Sequence, residues 1–147
     1  MINYMKEALK EAHLAYEEDE VPIGAVIVIG ENVIASSHNL CEQNKDVTCH
    51  AEMNVIKKAI EITGKKLLDD CDLYVTVEPC AMCAGAIINA GIRRVYIGCE
   101  EAKTGCFGSV VDLSDKFPRK PEVYFGFCED ECKNLMKKFF GQKRSCK

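Results

Sequence analysis

This 147-residue sequence has no apolar run approaching the ~18 to 20 residues that span a bilayer; stretches such as Ala25 to Ile29 end far short. It also lacks the basic-then-apolar opening of a secretory leader, since Met1-Ile2-Asn3-Tyr4-Met5-Lys6-Glu7 mixes charged and apolar residues. A cytoplasmic protein with no membrane partner is expected. Internal repeats, low-complexity segments and Pro/Gly/Ser linkers are missing too, so one domain over residues 1–147 is expected. What remains is 48% apolar and 29% charged, which excludes a disordered tail and supplies one ordinary core.

A strong excess of either charge is absent overall, yet the formal net charge of −4 is unevenly placed. Residues 133–147 hold six basic side chains (Lys133, Lys137, Lys138, Lys143, Arg144, Lys147) and no acid. That leaves 13 of the 19 basic groups against all 23 acidic ones in residues 1–132, a body of −10 with a tail of +6. Such a chain meets a polyanion along one basic edge.

Ten cysteines make up about 7% of the chain, just under the density of disulfide scaffolds. A disulfide framework does not fit, because the core is full-sized and the cysteines are scattered through apolar stretches like small hydrophobes. Most are expected to be free thiols.

The pattern of apolar residues predicts alternating elements. Ile2, Met5, Leu9, Ala12 and Tyr16 give an amphipathic helix over residues 2–17. Ile23 to Ile29 and Val33 to Ser37, joined at Gly30-Glu31-Asn32, read as an antiparallel hairpin whose first strand is buried on both faces. A polar loop (Cys41 to Thr48) leads to a helix over 50–63 stopped by Gly64. Leu73 to Val77 is a strand, Pro79 opens a helix through Ala90 with Gly91 as its stop, and Val95 to Gly98 is a further strand. Val123 to Phe127 forms a fifth strand and Glu129 to Phe140 a last helix. The 23 residues from Cys99 to Pro121 are too many for a hairpin, so strands four and five are expected to be parallel. The fold class is α/β, a three-layer α/β/α sandwich around a five-stranded mixed sheet.

Two short motifs carry little separately. With ten cysteines C-x-x-C arises about 0.7 times by chance, and three histidines make H-x-E arise about 0.3 times. Proline immediately before Cys80-Ala81-Met82-Cys83, together with His50-Ala51-Glu52, lowers the chance count to about 0.006. His50 and the cysteine pair each open a predicted helix, so adjacent strands can bring the two helix starts together at one sheet edge.

His50, Cys80 and Cys83 are the ligand types of zinc, and three protein ligands leave a fourth position for water, whereas structural zinc sites are closed. Helix N-termini favour thiolates, and a bound cation makes hydroxide available near neutral pH. Glu52, two residues beyond His50, is placed to move protons without binding metal. Other readings stand beside this one. Cys128 and Cys132 can complete a four-cysteine structural site, Cys80 and Cys83 can form a redox pair, and Glu52 can simply complement the helix dipole.

The sequence resembles the zinc-dependent nucleobase deaminases of the cytidine/deoxycytidylate deaminase superfamily. Within it, the likeness is strongest to the bacterial tRNA-specific adenosine deaminases. It runs through Val21-Pro22-Ile23-Gly24-Ala25-Val26, His38-Asn39, Thr48-Cys49-His50-Ala51-Glu52, Tyr74 to Ala86, Ala102-Lys103-Thr104-Gly105 and Phe139-Phe140.

The resemblance implies a cytidine-deaminase-like fold and hydrolysis of wobble adenosine to inosine by a zinc-activated water. One zinc per subunit would sit on His50, Cys80 and Cys83, with Glu52 as proton shuttle. It further implies Asn39, Ala51 and Pro79 as nucleoside contacts, and a homodimer binding the tRNA anticodon stem-loop through Phe139, Phe140, Lys143, Arg144 and Lys103. Adjacent aromatics within a basic segment suit splayed bases and phosphates. The alternatives are a deaminase of a free nucleoside or base such as guanine or cytidine, and a nonenzymatic zinc or redox module.

Overall fold

Asn3 caps the first helix, its side-chain oxygen accepting the Lys6 amide, and α1 (Tyr4–Glu17) follows. Met5, Ala8, Leu9, Ala12 and Ala15 recur every three or four residues and form its buried stripe. The computed structural model describes residues 2–145, with side chains through Lys143. The further elements are β1 (Gly24–Ile29), β2 (Asn32–His38), α2 (Cys41–Asn44), α3 (Ala51–Thr63) and β3 (Asp72–Val77). They continue with α4 (Ala81–Ala90), β4 (Arg94–Cys99), β5 (Glu122–Phe125) and α5 (Glu129–Ser145).

The five strands form one sheet in the order β2-β1-β3-β4-β5. β1 is antiparallel to β2 and β3, while β3, β4 and β5 run parallel. Ala25 and Ile27 of β1 face a core shared with α3 and α4; Val26 and Val28 face a second core with α1 and Cys132 of α5. Helices on both faces explain why β1 is continuously apolar. This is the expected three-layer α/β/α sandwich with strands four and five parallel.

Close packing of α1 depends on a missing side chain. A Cβ at Gly24 would run into the Ala8 carbonyl and the Ala12 amide, so only glycine lets the helix lie against the start of β1. Gly64 and Gly91 end α3 and α4 in the left-handed conformation, at φ 69° and 73°.

Several boundaries differ from expectation. His50 and Cys80 are the caps of α3 and α4 rather than their first helical residues, and Pro79 lies one position before its helix's cap. The Cys41 to Thr48 segment contains the turn α2, whose Glu42 and Gln43 amides are held by the buried Glu20 carboxylate at 3.0 and 2.8 Å. β5 stops at Phe125 because Gly126 turns to φ 94°, and the Gly126 and Phe127 amides both reach the Ile97 carbonyl. α5 runs beyond Phe140, with the Tyr16 hydroxyl donating to Gln142 at 2.6 Å and Lys143 pairing with Asp19 at 2.9 Å.

Candidate metal centre and cleft

The chain delivers its chemically useful residues to one edge of the sheet. β3 and β4 end there, β1 starts there and β2 returns there, so the connections after strands and the starts of α3 and α4 converge. In an open α/β sheet, the carboxyl ends of parallel strands are the usual place for a binding crevice. A cleft of about 650 Å³ lies at this edge, lined by His50, Glu52 and Cys80 at its floor and by Lys103, Lys137 and Phe140 on its walls.

His50, Cys80 and Cys83 meet in this cleft, with one ligand atom from each lying within 4.8 Å of the others. His50 Nδ1 stands 3.6 Å from Cys80 Sγ and 3.5 Å from Cys83 Sγ. Zinc bonds of ordinary length to nitrogen and sulfur, opened at the tetrahedral angle, give an N···S edge of about 3.6 Å. The donor set and its spacing therefore fit zinc. No fourth His, Cys, Asp or Glu joins the group among the described residues. Cys128 and Cys132 lie elsewhere, Cys132 in the core beneath α1, so the four-cysteine alternative is not formed.

The electrostatics of the three groups are mutually dependent. The hydrogen bond with Cys83, then that with His50, draws the Cys80 thiol down to about 3. Cys80 and burial push the Cys83 thiol up, while Cys80 raises the His50 imidazolium. The three groups thus compete for the same protons, which a cation entering the cluster displaces.

Glu52 is 3% exposed, and its Oε1 is a buried side-chain oxygen with no hydrogen-bond partner. Burial pushes its carboxyl up to about 7. A carboxyl beside such a His/Cys/Cys cluster, with one oxygen unengaged, has the proton affinity of a general acid and base at neutral pH.

Around this centre the structure sorts the other expected residues. Asn39 is buried, its amide bound to the carbonyl of the cleft residue Ile23 at 3.2 Å and its Oδ1 accepting from the Cys41 thiol at 3.2 Å. Ala51 is the buried first residue of α3, and the Pro79 carbonyl accepts the Cys106 amide at 2.9 Å. The phenylalanine pair is split. Phe139 is 6% exposed and meets Tyr16 edge-on at 6.2 Å, whereas Phe140 is 41% exposed on the cleft wall. Of the two rings, Phe140 and not Phe139 therefore faces the cleft. Lys103 lines the cleft, Lys143 pairs with Asp19, and the Arg144 side chain lies outside the described residues.

Sequence reasoning missed Glu78, whose carboxylate is 3% exposed and takes the amides of Glu101, Phe107 and Ser109 at 3.1, 3.0 and 3.1 Å. The only local signal was a charged residue wedged between an apolar strand and a proline.

Comparison with known proteins gives the family. A family model described as MafB19-like deaminase matches residues 2–144. The chain is 44% identical over 146 residues to the tRNA-specific adenosine deaminase of Bacillus subtilis, covering 98% of this chain and 91% of that one. It is 46% identical over 144 residues to the tRNA-specific adenosine deaminase of Agrobacterium fabrum, covering 97% and 95%. Among solved structures, a tRNA:A34 deaminase from work on A-to-I editing at the wobble position superposes with a TM-score of 0.86. It shares 47% identity, covering 90% of this chain and 97% of that one.

Proposed function

Because the chain belongs to the MafB19-like deaminase family and to the tRNA-specific adenosine deaminases, we propose that it hydrolyses adenosine to inosine at the first anticodon position of tRNA. The carrying observation is the His50, Cys80 and Cys83 cluster beneath an open cleft, with the unengaged Glu52 oxygen beside it.

His50, Cys80 and Cys83 would hold one zinc per subunit, which when bound would make a water acidic enough to react at neutral pH. Glu52 takes the proton as oxygen adds to the amino-bearing carbon of adenine and delivers it to the adjacent ring nitrogen. It then takes the second proton, from the newly added hydroxyl, and passes it to the departing amino group as the C=O bond forms and the C–N bond breaks, so that adenosine and water become inosine and ammonia. The carboxyl's position near 7 suits both directions of transfer.

Asn39 and the backbone at Ala51 and Pro79 border the nucleoside. Phe140, Lys103 and Lys137 give the cleft an aromatic face and two cations for a splayed anticodon loop, and Lys143 and Arg144 extend the basic edge. The family resemblance supports a homodimer and a cytoplasmic setting. No helix among the described residues is long and apolar enough to cross a membrane.

The test offers purified, zinc-loaded protein both unmodified tRNA transcripts and free nucleosides. Inosine at the first anticodon position, with free nucleosides and bases left intact, is expected; the reverse selectivity overturns the reading.

A further inference from the structure

The far wall of the cleft is built without a helix or a paired strand. Residues 100–110 form only an isolated bridge, Phe107 with Asp112, yet they bring Lys103 and Thr104 to the cleft that Phe140 also lines. What orders this segment is one carboxylate. Glu78 Oε1 accepts the Glu101 amide and the Ser109 hydroxyl, and Oε2 accepts the Phe107 and Ser109 amides. Four donors drawn from both ends of the segment converge on a side chain fixed at the end of β3, where the Glu78 amide itself bonds the Cys99 carbonyl at 2.9 Å.

Two further features tie the segment to the same point. Gly105 passes so close that a Cβ there would occupy the space of the Glu78 carboxyl group. The Cys106 amide bonds the Pro79 carbonyl, one residue before Cys80, so wall and ligand turn share an anchor. A buried carboxylate is tolerated only when its lone pairs are fully used, and here they are used on loop backbone rather than on a cation.

We propose that Glu78 is a positioning residue: it gathers the 101–109 segment so that Lys103 and Thr104 stand at the right distance from Phe140 to grip the RNA loop. Glu78 borders the same cleft but is not one of the His50, Cys80 and Cys83 cluster, and both its oxygens are taken up by the segment. The inference rests on the proposed wobble-adenosine reaction and assigns Glu78 to substrate capture.

Glu78→Gln is the sharp variant. It keeps the shape, but its NH₂ faces N–H or O–H donors whichever way it is turned, because both oxygens accept. Losing charge-assisted bonds of this kind corresponds to about a ten-fold effect. The expected result is a KM for tRNA transcript raised about ten-fold, with kcat and zinc content close to wild type and faster amide exchange at Glu101, Phe107 and Ser109. Ser109→Ala removes one donor and is expected to raise KM in the same direction by less; it carries the test if Glu78→Gln does not fold. Loss of zinc or of kcat with KM unchanged marks a merely structural carboxylate and overturns the proposal. Wild-type protein that leaves anticodon adenosine intact overturns the reaction itself, and this role with it.

Discussion

Cys83 Sγ stands 3.5 Å from His50 Nδ1, although 33 residues separate them in the chain. The approach is set by two helix starts. His50 caps α3, Cys80 caps α4, and Cys83 follows in the first turn of α4, so both helix N-termini face the same small volume. Those N-terminal dipoles favour the thiolate form that a metal needs.

Glu52→Ala is expected to retain zinc and tRNA binding while kcat falls about 10²- to 10⁴-fold, the usual worth of a positioned general acid and base. Metal analysis beside single-turnover inosine formation checks this. Appreciable turnover by the variant rejects the proton-transfer role.

The same carboxyl makes a prediction about stability. Its ordinary value is 4.5 and burial raises it to about 7, so between those values the folded protein holds a proton that the unfolded chain has released. The stabilising contribution is complete below pH 4.5 and disappears as pH rises through about 7. Metal-free Glu52→Gln, which cannot ionise, should gain on metal-free wild type between pH 5 and pH 8 in urea unfolding. Parallel stability curves would contradict the assignment.

His38 clamps α1 to the end of β2, with Nδ1 3.0 Å from Glu11 and Nε2 3.0 Å from Glu18, whose other partner is Gln43. Burial lowers the imidazolium, but the hydrogen bonds to Glu11 and Glu18 outweigh it and the net shift is upward from 6.5. This contribution is full below pH 6.5 and fades as pH rises past the folded value. The melting temperature of His38→Gln should therefore lie furthest below wild type at acidic pH, and the gap should narrow in alkali. A gap independent of pH would show that the clamp is uncharged.

The two phenylalanines should separate stability from binding. Phe139→Ala empties a buried site and is expected to cost about 3 to 5 kcal/mol of folding stability. Phe140→Ala should leave unfolding nearly unchanged while weakening tRNA binding by about 1 to 3 kcal/mol, the worth of a stacked base. Denaturation and fluorescence anisotropy read the two effects. Equal losses of stability would place both rings in the core.

The regular elements were legible because their signals are local: the α1 stripe, the apolar β1, the glycine stops at 64 and 91, and the long connection that made β4 and β5 parallel. The meeting of His50, Cys80 and Cys83 was legible because these residues sit in two short motifs. What escaped depends on distant partners. The first amides of α2 are held by Glu20 from beyond the β1–β2 hairpin, and α5 continues past Gly141 because Tyr16 and Asp19 hold its later turns. Phe139 and Phe140 point different ways because adjacent helical residues face different neighbours. Glu78 escaped because its meaning lies in four donors 23 to 31 residues away.

Zinc-edge X-ray absorption on the purified, zinc-loaded protein reads the metal's surroundings most directly. Two sulfur neighbours at about 2.3 Å and two lighter ones at about 2.0 Å, from His50 and a water, are expected. A third or fourth sulfur, or protein that takes up no zinc, would contradict this coordination.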